Sequence, residues 1–295
     1  MTEPPATVGS LVDAAVRLLA GRSPTARMDA ELLLAAELGV GRAVLRAHPE
    51  RVPPPAALAR FEAALARRAA GEPVAYVLGR KEFWSLELEV GPDVLVPRPE
   101  TECLVELALA RLPPGTGGEV LDLGTGSGAI GLAIAAERPG VRVCLTDVSR
   151  SALATAERNA ERLGLGNVSF ALGDWFGALD AADRFDVIVS NPPYLAADDP
   201  HLAAPELGRE PRGALVAGPG GLEALAALIA GAPAHLRPGG WLLVEHGATQ
   251  GPAVRALFGR AGLAQVATAP DLAGLDRVTL GRRGVECGPG HGEFA

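Results

Sequence analysis

Lysine is the scarcest residue in this 295-residue chain: Lys81 is the only one, arginine supplies the rest of the positive charge, and the net charge is −8. Such a balance argues against broad, sequence-independent nucleic-acid binding, which depends on neutralising phosphates, while leaving room for a local basic patch. The reliance on arginine is a bias of composition rather than a functional signal. Cysteine is nearly as rare as lysine, with three residues. Cys103, Cys144 and Cys287 stand far apart with no paired spacing, so neither a zinc site nor a disulfide framework is expected. Cys103 falls in a predicted helix and Cys144 in a predicted strand, where a small core role suits both. Met1-Thr2-Glu3-Pro4-Pro5 lacks the basic and then apolar pattern of a secretion signal. The most apolar long stretch, Gly213 to Leu236, is broken by Pro219, Glu223 and Pro233, so no membrane span is expected. A reducing cytoplasm is the expected compartment.

What the chain does have is ample apolar material, 48% of residues against 21% charged, enough for one large domain plus a smaller one. From about Val8 to Ala70 the periodicity is helical throughout. Leu11, Val12, Ala15, Val16, Leu18 and Leu19 form one apolar face, and Leu32, Leu33, Leu34, Ala36 and Leu38 another. Pro53-Pro54-Pro55 breaks the chain before a last helix, at whose end Arg67-Arg68 reads as a solvated C-terminus rather than a partner patch. Residues 1–73 are therefore expected to form a small helical bundle. Val74 to Val96 changes character. Phe83 to Val90 alternates like a half-exposed strand and Gly91-Pro92 turns it, which predicts a β-hairpin linker over residues 74–96. Pro97 to Glu102 then opens a helix, with proline and acidic residues suitably placed at its start.

Beyond Glu119, strands alternate with helices. Strands are predicted near 119–123, 141–146, 167–172, 185–190, 239–245, 263–269 and 276–281. This pattern predicts an α/β fold, an open and mostly parallel sheet covered by helices on both faces, over residues 97–283. Residues 284–295 are glycine-rich and are expected to be a disordered tail.

Two motifs fall at predicted strand ends, where ligands of such sheets bind. Glu119 to Leu123 runs into Gly124-Thr125-Gly126-Ser127-Gly128 and then an apolar helix, a strand, a glycine turn and a helix. Glycines allow the tight turn and let the backbone approach a ligand. Asp147 closes the next strand nineteen residues after Gly128, placed to accept from ribose hydroxyls. Up to this point a nicotinamide dinucleotide fits as well as any other nucleotide. The second motif, Asn191-Pro192-Pro193-Tyr194, ends the apolar run Phe185 to Ser190. Two prolines stop the strand and stiffen the turn. The turn offers an amide, donor-free carbonyls and an aromatic face, which suit a planar nitrogen carrying two hydrogens.

In these segments the chain resembles the release-factor glutamine methyltransferases, the PrmC or HemK family, from about Leu11 to Arg282. The resemblance is carried in order by Gly71-Glu72-Pro73-Val74-Ala75-Tyr76-Val77-Leu78-Gly79, Glu82-Phe83-Trp84 and Val94-Leu95-Val96-Pro97-Arg98-Pro99-Glu100-Thr101-Glu102. The glycine loop, Gly173-Asp174-Trp175-Phe176, Asn191 to Tyr194, Glu245-His246-Gly247 and Asp271 to Arg277 complete it. The glycine loop is common to many methyltransferases; the Pro-Arg-Pro-Glu-Thr-Glu segment together with Asn-Pro-Pro-Tyr is far more specific. The resemblance implies a class I, Rossmann-like methyltransferase with a seven-stranded sheet, and S-adenosylmethionine as methyl donor. It also implies as acceptor the glutamine of a Gly-Gly-Gln loop in bacterial class I peptide chain release factors, held partly by the helical domain. Carried over by position, Gly124, Thr125, Gly126, Ser127 and Gly128 lie along the methionine part of the cofactor, Asp147 takes the ribose, and Asp174 and Trp175 border the adenine. Asn191, Pro192, Pro193 and Tyr194 hold the glutamine, with Asn191, Pro192 and Tyr194 carrying the catalysis and Asn191 also facing the cofactor. Asp122 stands between contact with the cofactor's ammonium and a structural role. Glu245 and His246 lean to structure, with His246 able to titrate.

Three other functions fit parts of the pattern. A ribosomal-protein glutamine methyltransferase is the nearest. An adenine-N6 nucleic-acid methyltransferase uses the same kind of clamp but wants a basic cleft and a recognition domain. A non-catalytic nucleotide-binding scaffold explains the glycine loop and leaves Asn191 to Tyr194 idle. Neither direct nucleic-acid binding nor membrane association is expected.

Overall fold

The computed structural model describes residues 6–285, so most of the predicted tail, with Cys287, lies outside the described residues. The chain divides into two compact units. One comprises the residues up to Arg80 together with Ala203–Arg209; the other comprises Lys81–Leu202 and the chain from Glu210 onward. Among the described residues no helix is long and apolar enough to cross a membrane.

The first unit holds α1 (Val8–Leu19), α2 (Ala26–Leu38), α3 (Arg42–Ala47), α4 (Pro55–Ala69) and α5 (Val74–Leu78). Thr7 caps α1 by accepting from the Ser10 amide, and proline opens α4 at a position where its missing N–H costs nothing. The helices meet through Val12, Ala15, Leu19, Leu33, Leu34, Phe61 and Leu65. Leu18, expected on the buried face of α1, is instead 46% exposed. On α4 the core-facing stripe is Ala57, Phe61, Leu65 and Arg68, at spacings of four, four and three. Arg68 is thus not the solvated helix end that charge alone suggests; it is 1% exposed. Its Nε donates to Asp29 at 2.7 Å and its Nη2 pairs with Glu206 of the Ala203–Arg209 segment. Ser23 and Thr25 donate to the same Asp29 carboxylate at 2.7 and 2.8 Å. Arg67, by contrast, faces outward and pairs with Glu72.

The second unit begins with a hairpin shorter than the one predicted. β1 (Arg80–Phe83) pairs with β2 (Leu86–Glu89), while Val74–Leu78 is helical. The reversal falls at Trp84-Ser85, with φ of 51° and 59°, and not at Gly91-Pro92. Two non-glycine residues in the left-handed region lie outside ordinary turn chemistry, which is why the sequence pattern runs straight through them. The turn is held from outside: the Trp84 amide donates to Glu102 and its indole N–H to Glu137, both at 2.9 Å.

The remaining elements are α6 (Glu102–Leu109), β3 (Gly118–Leu123), α7 (Ala129–Glu137), β4 (Val141–Asp147), α8 (Arg150–Leu163), β5 (Val168–Leu172), β6 (Phe185–Ser190), β7 (Leu195–Ala196), α9 (Arg212–Leu215), β8 (Val216–Gly218), α10 (Glu223–His235), β9 (Leu236–Glu245), α11 (Gly251–Arg260), β10 (Ala264–Pro270) and β11 (Asp276–Arg282). Seven strands form one sheet in the order β10-β11-β9-β6-β3-β4-β5, and the segment from β9 to β5 is parallel. β11 runs antiparallel to both β9 and β10. The mostly parallel α/β sheet expected from sequence is therefore the fold, with each of its seven strands near its predicted place.

Alternation divides the sheet's side chains between two cores. Val120, Val143, Val187 and Val189 join α6, α7 and α8 on one face; Leu121, Leu123, Ile188 and Val244 join α10 and α11 on the other. Cys103 and Cys144 sit half-buried against these cores. The chain winds from β3 outward through β4 to β5 and then returns to β6 on the opposite side of β3. A crevice opens at the carboxyl ends where the winding reverses.

Arg68→Ala is expected to lower the unfolding free energy by about 3–5 kcal/mol, because it leaves Asp29 buried without its counter-charge. Urea unfolding followed by circular dichroism measures this; a loss below about 1 kcal/mol, the scale of an exposed pair, contradicts the assignment.

Candidate active site

The crevice is a cavity of about 250 Å³ lined by the ends of β3, β4 and β6 and by the chain before α6 and around α9. Gly124, Thr125, Gly126, Ser127, Asp147, Asp174, Trp175, Asn191, Pro192 and Pro193 all line it. Gly128 and Tyr194 lie outside the lining. Gly128 has φ of +86°, and a Cβ there would meet Leu132 Cδ1 at 2.7 Å, so its work is the close seating of α7.

The glycine loop is tied to both neighbouring strand ends. The Thr125 amide donates to the Thr146 carbonyl at 2.9 Å, and the Gly126 amide to Asp147 Oδ2 at 2.9 Å. The Ser149 amide takes the other Asp147 oxygen at 2.8 Å. Burial raises the Asp147 pKa and these amides work against the rise. The result is an acceptor of fixed orientation at the mouth of the cavity. Beside it Val148 lines the cavity although 70% exposed, an apolar surface that strand prediction passed over. Across from it, Gly173 is obligatory, since a Cβ would stand 2.6 Å from the Ala178 amide nitrogen. Trp175 holds φ of 46°, an uncommon conformation for an aromatic residue, and places its side chain on the cavity wall.

On the β6 side, the Ser190 hydroxyl donates to the Leu123 carbonyl at 2.7 Å, joining the two strand ends. Asn191 then turns over Thr101, its Nδ2 3.1 Å from the Thr101 hydroxyl oxygen. Tyr194 is not among the lining residues; it packs against the core of α10 and α11 and its hydroxyl donates to Glu245 at 3.4 Å. Gln250 secures the end of the turn by donating to the Tyr194 and Gly221 carbonyls, each at 3.0 Å. The chain before α6 is held by Glu210, which accepts from the Val96 amide at 3.0 Å and pairs with Arg98. Thr101, Arg98 and Val148 are lining residues to which no role came from the sequence; the signal for Thr101 and Arg98 was the specific Pro-Arg-Pro-Glu-Thr-Glu segment itself.

The three strand-end ionisable groups separate in the structure. His246 is fully buried, with Nδ1 2.9 Å from the Gly247 carbonyl and Nε2 2.8 Å from the Thr279 hydroxyl. Burial lowers its pKa, which favours the neutral imidazole, and it is not among the residues that line the cavity. Asp122 is sealed behind the glycine loop, accepting from the Thr125 hydroxyl at 2.6 Å and the Gly131 amide at 2.9 Å through one oxygen. Glu245 lies beneath the Asn191 turn.

Comparison with known proteins places this geometry. The PrmC N-terminal domain family matches residues 10–79, and the methyltransferase small domain family matches residues 101–218. The release factor glutamine methyltransferase of Xylella fastidiosa (strain Temecula1) is 54% identical over 256 residues, 87% of this chain and 93% of that protein. The release factor glutamine methyltransferase of Pseudomonas aeruginosa is 54% identical over 260 residues, 88% of this chain and 94% of that one. A Thermus thermophilus 16S rRNA N2 G1207 methyltransferase, solved with AdoMet and guanosine, aligns with a TM-score of 0.51 and 23% identity over 69% of this chain and 49% of that chain. That last likeness is one of fold alone.

Asp122 generates a pH prediction. Burial pushes its carboxyl from an ordinary 3.8 up to about 6, against the two hydrogen bonds it accepts. A raised acid pKa means that the folded state binds the proton more tightly than the unfolded one. The carboxyl therefore costs nothing below about pH 4 and up to ~3 kcal/mol above about pH 6. Asp122→Asn, keeping one oxygen for Thr125 and Gly131, should raise the urea midpoint at pH 8 and match wild type near pH 4. Equal midpoints at pH 8 would show that the buried charge carries no cost.

Proposed function

The chain belongs to the release factor glutamine methyltransferase family, and on that premise we propose that it transfers a methyl group from S-adenosylmethionine to the side-chain amide nitrogen of the Gly-Gly-Gln glutamine in peptide chain release factors. The observation that carries this reading is the convergence of Asp147 and Asn191 on one cavity, an acceptor for hydroxyls and an amide clamp on either side of the glycine loop. The residues fit the cofactor. Gly124 to Ser127 offer backbone to its methionine part, Asp147 an oriented carboxylate for ribose, and Val148, Asp174 and Trp175 a border for adenine. When bound, S-adenosylmethionine supplies a methyl on a sulfonium, and the carbon–nitrogen bond forms as the carbon–sulfur bond breaks, the surplus proton leaving the nitrogen.

The protein's task is to make a poor nucleophile attack. An amide lone pair is delocalised into its carbonyl. If Asn191 Oδ1 and the Pro192 carbonyl each accept one N–H, electron density shifts toward nitrogen and the lone pair is aimed. Pro192 and Pro193 contribute stiffness, so these dipoles need no reorganisation. Tyr194 acts from behind, fixing the turn through Glu245 and Gln250 rather than covering the substrate amide. This is catalysis by orientation.

A glutamine amide is too small to be told from others by such a pocket. We assign release-factor recognition to the helical unit, on which the PrmC N-terminal domain match falls, and place the enzyme in the cytoplasm with the translation machinery. A ribosomal protein remains the competing acceptor class. The direct test offers purified release factor, ribosomal proteins and an adenine-containing oligonucleotide with labelled cofactor, and locates the label by mass spectrometry. Label on the Gly-Gly-Gln glutamine is the expected outcome; label on either of the others instead overturns the acceptor assignment.

Two substitutions separate the halves of the site. Asn191→Ala is expected to leave cofactor affinity intact and cut turnover by at least ~10²-fold, the scale of one lost preorganised dipole. Near-normal turnover in the folded variant would remove the clamp from the mechanism. Asp147→Ala is expected to weaken S-adenosylmethionine binding by roughly 1.5–3 kcal/mol, with a smaller effect on rate at saturation. Unchanged affinity by calorimetry would mean that Asp147 does not hold the ribose.

A further inference from the structure

The side chain of Asn159, on α8, lies outside the cavity lining, yet it is fully buried and both of its polar atoms are engaged. Oδ1 accepts from the Glu89 amide at 2.6 Å. Nδ2 donates to the Glu89 carbonyl at 3.0 Å and to the Ser127 carbonyl at 2.9 Å. One N–H and two carbonyls around a carboxamide admit a single orientation, because its oxygen accepts and its nitrogen donates.

Asn159 thereby joins two segments that both supply cavity wall. Glu89 ends β2, which among the described residues pairs with β1 alone. Asn159 takes both backbone groups of Glu89, as a further strand would. From there the chain runs through the buried Val90 to Val94, Leu95, Pro97 and Arg98, which line the cavity without belonging to a helix or strand. Glu210 holds the far end of this strap through the Val96 amide and Arg98. Arg158 and Arg162 also reach β2, pairing with Glu89 and Glu87, but those pairs are exposed and such pairs contribute little. The buried amide carries the join at the near end.

Ser127, the other partner, belongs to the glycine loop and to the cavity lining. Asp147 holds the Gly126 amide and the Thr125 carbonyl holds the Gly128 amide, each at 2.9 Å. Asn159 holds the carbonyl between them, so the loop is fixed at three successive residues. We propose that Asn159 is a positioning residue of the cofactor site: it locks the glycine loop and the strap of residues 94–98 to each other, so that S-adenosylmethionine meets both walls already in place. Binding then does not have to order either segment, and affinity gains by that saving. The inference rests on the reading of this cavity as the S-adenosylmethionine site.

Calorimetry of S-adenosylmethionine binding to the full chain tests this, because it reports affinity and the fraction of competent molecules separately. Asn159→Asp keeps the shape and removes both donated hydrogen bonds; Asn159→Ala removes the whole amide. Each should raise Kd at least ~10-fold, the scale of one buried hydrogen-bond partner lost, with stoichiometry close to that of wild type. The matched control is Asn167, whose Nδ2 donates to the Ala135, Arg138 and Val141 carbonyls at 3.1, 3.3 and 2.9 Å, at the amino end of β4 and outside the cavity lining. Asn167→Asp should lower stability and leave Kd within about twofold of wild type. In the wild-type protein, saturating cofactor should slow hydrogen exchange of the Glu89 amide at least ~3-fold together with that of Gly126, since the coupling is reciprocal. An unchanged Kd in folded Asn159 variants, or an equal rise in Asn167→Asp, would make Asn159 a stability residue alone and overturn the proposal. So would a Glu89 amide whose exchange is unchanged while that of Gly126 slows, and this measurement decides if the variants do not fold. If the wild-type chain binds no S-adenosylmethionine, the reading of the cavity falls first.

Discussion

The site depends on the register of β3 with its two parallel neighbours. Leu123 is aligned with Thr146 of β4 on one side and with Ser190 of β6 on the other. One residue further along each strand stand Gly124, Asp147 and Asn191. Three positions that are far apart in sequence thus become adjacent because parallel strands of equal extent stop together. The Thr125–Thr146 and Ser190–Leu123 hydrogen bonds hold that alignment beyond the last ladder pairs. Slipping either neighbour by one residue would turn a strand-end side chain to the opposite face of the sheet and dismantle the cavity.

The strand ends were legible in the sequence because each ends on punctuation: glycine after β3, aspartate at the close of β4, two prolines after β6. Such residues act locally, so their meaning survives without knowledge of the fold. What stayed hidden depends on distant partners. Arg68 looked solvated because a charge at a helix C-terminus is usually so, and its partners Asp29 and Glu206 lie 39 and 138 residues away. Its place on the Ala57, Phe61, Leu65 stripe was the available clue. The turn at Trp84-Ser85 was missed because its left-handed backbone is held by Glu102 and Glu137, not by turn residues. Tyr194 was expected over the substrate amide, since aromatic faces pack on amide planes. Only the position of Glu245 shows which way its hydroxyl points.

The buried acids reveal how the molecule divides its polar groups. Asp122 gives one oxygen to Thr125 and Gly131 and leaves the other without a partner, while Glu245 leaves one without a partner beneath the turn. Each such atom costs stability. Both stand directly behind a loop that must keep a fixed shape, the glycine loop in one case and the proline turn in the other. A more stable core at these positions is easily imagined; a core that holds both loops by charged acceptors is not. The same choice recurs at Glu210, which is buried and fixes Val96 and Arg98 ahead of α6.

These placements bear on why the proposed transfer needs no general base. The ionisable side chains in the cavity lining are Arg98, Asp147 and Asp174. Arg98 is paired with Glu210, and both Asp147 oxygens already accept backbone amides. Asp174 follows β5, three strand positions from β6 in the sheet order, and so stands away from Asn191. An amide nitrogen needs no prior loss of a proton: it becomes a strong acid once it has gained a carbon, and its proton then leaves without assistance. A base beside the acceptor would add a buried charge and compete with Asn191 for the same hydrogens. In the proposed mechanism the lining supplies dipoles where charge would develop and leaves Arg98 and Asp147 held by other partners, which is the arrangement an electrophilic methyl donor and a weak nucleophile require.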